Sequence, residues 1–203
     1  MESHFFATIS RMKYIERWAL MRSSRPENLS EHAMEVAMIA HALCTIGNIR
    51  FGKHLNADRA AVIGLFHDAS EIITGDMPTP VKYYNRDIRS AYKEVEQVAE
   101  NRLVRQLPED LRGVYADIFG IAEPEEQDPE ESYLRGIVKA ADKLSALIKC
   151  IEEEYSGNNE FVRAKKSTRE ALDAICGSCP EAAVFMEEFL PSYGKTLDEL
   201  LEE

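Results

Sequence analysis

The sequence predicts an all-α fold, a single-domain helical bundle spanning residues 1–203. Apolar residues recur at helical spacing through nearly the whole chain. No run alternates apolar and polar residues between hairpin turns, as a half-buried strand would. Breakers at Gly47, Gly75 and Pro108 divide the pattern into helix-length pieces. A chain of 203 residues is long enough for one domain with a sizeable core, and neither a repeat nor a linker interrupts it.

Phe5, Ile9, Met12 and Ile15 predict a first amphipathic helix. Asn28 and Glu31 stand at capping-box spacing, with Ser30 as a second candidate cap. Ala33, Val36, Ala37, Ile39, Ala40 and Leu43 then form an apolar stripe that Gly47 should stop. A helix from Ala57 to Ile73 should end at Gly75. Its stretch Ala60–Phe66 is apolar on every side, so it should be central and buried. Two prolines in Asp76-Met-Pro-Thr-Pro80 argue for a loop of fixed shape. Ile88, Tyr92, Val95, Ala99 and Leu103 mark a helix that ends before Pro108, and Leu111–Phe119 a short one. Glu123–Glu131 reads as a solvated acidic loop. Leu134, Ile137, Val138, Ala141, Leu144, Ile148 and Ile151 define a long helix that ends at Gly157-Asn-Asn159. Another helix carries Phe161, Ala164, Leu172 and Ile175. Pro180–Phe189 and Leu197–Leu201 close the chain.

Composition narrows the function. Hydrophobic residues are 45% and charged residues 30%, the balance of a soluble globular protein. No apolar run approaches the roughly 20 residues that span a bilayer, and the N-terminus lacks the pattern of a secretory signal, so a cytoplasmic location is expected. The net charge of −12 opposes a nucleic-acid polymer, whereas a small anion can still bind where a metal or an Arg reverses the local potential. Cys44, Cys150, Cys176 and Cys179 read as reduced thiols. The CxxC at 176–179 has neither a second ligand pair nor a βαβ context.

The chemistry-bearing residues stand out by where they fall. His67-Asp68 sits in the apolar stretch, where an unpaired carboxylate costs several kcal/mol. His32 shares a face with Val36, Ile39 and Leu43 at i+4, i+7 and i+11, whereas His41 projects to the opposite side. Asp142 lies at the edge of the long helix's stripe, and alone would read as a surface partner of Lys139 or Lys143. Taken together, two imidazoles and two carboxylates near a core call for a cation. Three helices of one bundle can bring such ligands to one ion. The donor set suits a single divalent Mn, Co, Fe or Zn better than Ca.

The order H…HD…D resembles the HD phosphohydrolase superfamily, an all-helical fold. Ser3-His-Phe-Phe6, Arg17-Trp18, Glu31-His32, His67-Asp-Ala-Ser-Glu71, Asp76–Lys82 and Gly157-Asn-Asn-Glu-Phe161 narrow the likeness to the YfbR-type 5′-deoxynucleotidases. The resemblance covers nearly the whole chain. It implies hydrolysis of 2′-deoxyribonucleoside 5′-monophosphates by a cytosolic homodimer, with metal on His32, His67, Asp68 and Asp142. It implies Arg17, Trp18, His32, Asp68, Asp76 and Thr79 as substrate contacts, and Glu71 and Arg17 as catalytic residues. Glu71, at i+4 from His67 and i+3 from Asp68, would face the metal from the same side of a continuous helix. Competing readings are another chemistry of the superfamily, such as triphosphate or phosphodiester hydrolysis, and a non-catalytic nucleotide- or metal-binding module.

Overall fold

A computed structural model describes residues 2–82, 84–121 and 128–202, the side chain of Thr79 excepted. The described chain is all-α. In order come α1 (Phe5–Ile9), a 3₁₀ turn (Ser10–Tyr14), α2 (Leu29–Arg50), α3 (Ala57–Phe66), α4 (Glu71–Thr74), α5 (Thr79–Lys82), α6 (Arg86–Val104) and α7 (Glu109–Phe119). Then follow α8 (Pro129–Tyr155), a 3₁₀ turn (Asn159–Phe161), α9 (Val162–Cys176), α10 (Pro180–Glu188), a 3₁₀ turn (Leu190–Gly194) and α11 (Leu197–Leu201). The sole extended pairing among the described residues is an antiparallel bridge between Glu16 and Asn28.

The chain forms two compact units. The first draws on Met1–Arg22, Pro26–Met34 and Leu65–Gln127, and the second on Ser23–Arg25, Glu35–Gly64 and Asp128–Glu203. In the first, Phe5, Met12, Leu29, Ala33, Ala69 and Leu103 build the core, with Tyr115 edge-on to Phe5 at a centroid distance of 4.9 Å. Asn28 caps α2 as its side chain predicts. Its Oδ1 accepts from the N–H groups of Ser30 and Glu31, while Glu31 Oε2 accepts from the Asn28 N–H. In the second, the inward face of α8 carries Leu134, Ile137, Val138, Ala141, Leu144 and Ile148 at the expected spacing, all buried.

Several expected boundaries are corrected. The helix from Ala57 does not continue to Ile73. It ends at Phe66, and residues 67–70 turn, with Ala69 N–H donating to Phe66 O at 3.0 Å and Glu71 N–H to Asp68 O at 3.0 Å. Nor is α3 buried on every side: Ala60, Ile63 and Gly64 face inward, but Leu65 is 43% exposed. Gly47 does not stop α2, which runs on to Arg50. Its missing side chain instead leaves room for Glu181, whose Oε1 lies 2.7 Å from where a Cβ would be. Pro80 does not forbid helix, because it falls in the first turn of α5, where its N–H would have no partner within the helix. The first predicted helix tightens into 3₁₀ after Ile9. Pro129–Glu131 belong to α8, capped by Asp128, rather than to the acidic loop, and residues 122–127 of that loop lie outside the described residues.

All four cysteines are free thiols. No described helix is long and apolar enough to cross a membrane.

Candidate metal centre and active site

His32, in the first turns of α2, is fully buried, as its place on the apolar stripe predicts. The turn after α3 presents His67 and Asp68. Asp68 Oδ2 lies 3.0 Å from His67 Nε2 and 3.5 Å from His32 Nε2, and the two imidazole centroids are 5.2 Å apart. Burial opposes ionisation of Asp68, but charge on His67 and hydrogen bonds from both imidazoles outweigh it and hold the carboxyl well below its usual range. Each of the three offers one ligand atom, and these atoms lie within 4.8 Å of one another. Two metal–ligand bonds of about 2.0–2.2 Å span at most about 4.4 Å, so a small adjustment closes the set on one ion. Two imidazole nitrogens and a carboxylate oxygen suit a divalent transition metal. Asp142 lies in α8, in the second unit, with Lys143 Nζ 2.8 Å from its Oδ2.

Glu71 opens α4 and is 5% exposed. Its Oε2 has no hydrogen-bond partner among the described residues. Burial pushes its carboxyl up to about 9; charge on Asp68 and Asp76 adds to the rise, and Lys82 and Arg17 oppose it. The helix face that sequence spacing assigns to Glu71 is not continuous with His67, because the turn intervenes. Even so, Glu71 feels the Asp68 charge.

Arg17 and Trp18 lie on the short extended segment that the bridge holds. Arg17 N–H donates to Glu27 O at 2.9 Å, and Leu29 N–H to Ile15 O at 3.0 Å. Arg17 Nη1 and Trp18 Nε1 both donate to Glu27 Oε2, at 2.7 and 2.9 Å. The guanidinium lies 5.7 Å from the indole centroid. Trp18 has φ +60°, a left-handed conformation unusual for a bulky residue. Its N–H donates to Asp76 Oδ2 at 3.2 Å, and its carbonyl accepts from Met21 N–H at 2.7 Å. Asp76 itself is raised above its usual range, first by burial, against the pull of Arg17 and this N–H. Thr79 opens α5; its side chain lies outside the described residues.

Two partners escape a reading by periodicity. Glu27 joins Arg17 and Trp18 across a pairing ten residues apart, and the nearest sequence signal is only its place before the Asn28 cap. Lys82 donates to Glu96 Oε1 at 2.8 Å and adds positive charge that Glu71 feels. His41, by contrast, is half exposed, as its helical angle predicts.

A family model described as 5′-deoxynucleotidase YfbR-like matches residues 4–193. The chain belongs to the YfbR-like family. Within that family, the 5′-deoxynucleotidase YfbR of Escherichia coli is 48% identical over 199 residues, covering 98% of this chain and 96% of that protein. Among solved structures, an HD-domain phosphohydrolase from Listeria innocua is similar with a TM-score of 0.77 and 24% identity, over 94% of this chain and 88% of that one. The cyanophage S-2L HD phosphohydrolase DatZ, solved bound to dA and one catalytic Zn²⁺ ion, is similar with a TM-score of 0.64 and 17% identity, over 92% and 96% of the two chains. The YfbR-like chain therefore has the all-α HD fold that the sequence predicts.

Proposed function

We propose that this protein hydrolyses 2′-deoxyribonucleoside 5′-monophosphates to deoxyribonucleosides and phosphate, with one divalent ion (Mn, Co, Fe or Zn) held by His32, His67, Asp68 and Asp142. The observation that carries this reading is the convergence of His32, His67 and Asp68 close to the buried Glu71 carboxyl. The names of relatives that match nearly end to end support the substrate class. Asp142 enters as fourth ligand on the H…HD…D order. The whole chain is taken as one catalytic domain.

A bound cation supplies Lewis acidity toward a phosphoryl oxygen and lowers the pKa of a water. Glu71 orients the attacking water or carries its proton; burial favours the protonated carboxyl, and a bound cation beside it would favour the carboxylate that can accept that proton. Arg17 meets phosphate oxygens with its planar fork and offsets charge that develops on them. Trp18 lies against the 2′ edge of the sugar. A hydroxyl buried there without a partner costs about 1–3 kcal/mol, so ribonucleotides are disfavoured. Asp76 holds the 3′ hydroxyl with the oxygen that Trp18 N–H does not engage, and Thr79 adds a sugar contact. His32 and Asp68 touch the substrate as well as the ion. A small anion, rather than a nucleic-acid polymer, is the partner that a net charge of −12 favours. A cytosolic homodimer completes the proposal, on the family resemblance.

Phosphate release from dAMP, AMP, dATP and a phosphodiester, with Mn or Co and with chelator, tests the reading. Expected is turnover of dAMP well above AMP and none with chelator. Equal rates on dAMP and AMP would remove the deoxynucleotidase assignment, and preference for dATP would make the protein a triphosphohydrolase.

A further inference from the structure

Two groups of opposite character, a cation and an apolar ring, hang from one carboxylate oxygen. We infer that Glu27 is a positioning residue for substrate discrimination, clamping the Arg17 guanidinium and the Trp18 indole as one rigid unit. The geometry behind it is all within the first unit. Glu27 Oε2 accepts from Arg17 Nη1 at 2.7 Å and from Trp18 Nε1 at 2.9 Å, and the Glu27 carbonyl accepts from the Arg17 N–H at 2.9 Å. Side-chain exposure of Arg17 and Glu27 is 11% and 12%, so both charges sit largely out of water and the pair is not a screened surface contact. Because both donors share one acceptor, the indole cannot swing without disturbing the guanidinium.

Rigidity matters for this site in particular. An indole excludes a hydroxyl only if it stays put; a ring free to rotate would yield space for the extra atom and lose selectivity. Trp18 also sits at φ +60°, a conformation that its surroundings must enforce. Asp76 holds the Trp18 N–H, which fixes the backbone, while Glu27 holds the ring tip. The residue is thus tied at its backbone and at its ring tip, and Glu27 supplies the tie that bears on ring orientation. The consequence for selectivity rests on the deoxynucleotidase reading; the clamp itself does not.

Trp18 is the only tryptophan, so its fluorescence reports on the clamp without substrate or metal. In chelator-treated protein, Glu27→Ala should shift emission to the red and increase acrylamide quenching. In the metal-loaded enzyme, the dAMP/AMP ratio of kcat/KM should fall roughly fivefold or more, the loss of one buried hydrogen bond. Glu27→Gln keeps an acceptor oxygen at the same reach and should restore both readouts. Should Glu27→Ala fail to fold, Glu27→Asp keeps the charge on an arm too short for both donors and should show the same losses. A role in folding alone would lower Tm while leaving emission and ratio unchanged, and that result in Glu27→Ala or Glu27→Asp would overturn the clamp. Glu27→Gln losing as much as Glu27→Ala would overturn it too, by making charge rather than the shared acceptor the operative property. If wild type turned over no monophosphate while the emission shift held, the deoxynucleotidase reading would fail and the clamp would stand.

Discussion

Two buried carboxyl groups, one in each unit, are treated in opposite ways. Glu153, in α8, is 1% exposed and saturated with donors: Lys149 Nζ, the N–H groups of Ser24 and Arg25, and Asn158 Nδ2. Burial alone would raise its pKa, but these donors hold it down at about 2. Glu71 is buried almost as deeply, yet one of its oxygens meets no donor among the described residues and its pKa rises to about 9. A carboxyl that serves the fold is fully paired and ionised. Glu71, left without a donor on that oxygen, keeps the ability to take or release a proton that the proposed function asks of it.

The sharpest way to break this contrast is to remove each carboxyl in turn. Glu71→Ala should lower kcat by about 10²–10⁴, the usual contribution of a positioned acid or base, while metal content measured by elemental analysis stays at the wild-type level. Asp68→Ala, the companion variant, should lose the metal itself. If Glu71→Ala turned over substrate normally, Glu71 would join Glu153 as a structural group. Glu153→Ala should act the other way. Leaving Lys149 buried without its partner costs about 3–5 kcal/mol, so the denaturation midpoint should drop sharply, whereas kcat of the folded fraction should hold. A large fall in kcat at unchanged stability would collapse the distinction.

A third test of the contrast lies in pH dependence. In chelated protein the Glu71 carboxyl titrates near 9 when folded and near 4.5 when unfolded. Between those values the folded state binds the extra proton, so its stability falls as pH rises through the window. Glu71→Gln should flatten that slope in urea melts at pH 5, 7 and 9. Asp68 runs in reverse: with its folded pKa depressed, its contribution is lost only as pH falls below the usual carboxylate range, outside this window. A slope unchanged by Glu71→Gln would show that Glu71 ionises freely in the metal-free protein.

How far the sequence reaches depends on which force places a residue. His32 was legible because it shares helical spacing with Val36, Ile39 and Leu43, and the burial of all four follows from one periodic stripe. The long α8 and the terminal α11, with its Thr196–Glu199 capping box, follow from equally local signals. The end of α3 did not, because the turn at 67–70 is made by backbone hydrogen bonds with no Gly or Pro to mark it. Sequence spacing puts Glu71 on a helix face that the turn interrupts, and what ties it to Asp68 is charge. Glu27 was invisible for a different reason: its partners are reached across an extended bridge in a helical protein, where no period points to it. Local patterns thus place His32 on its buried stripe, while the contacts that orient Arg17 and Trp18 arise from pairings between segments.

The left-handed backbone at Trp18 has an evolutionary consequence. A φ of +60° is where a chain would most comfortably place glycine, and any other bulky side chain there carries a standing penalty of order 1–3 kcal/mol. Substitution toward glycine or asparagine at this position would ease the backbone but give up the indole and its hydrogen bond to Glu27. A library screened only for thermal resistance would therefore weigh relief of that strain against the contacts of the indole, blind to the selectivity that the proposed function gives residue 18.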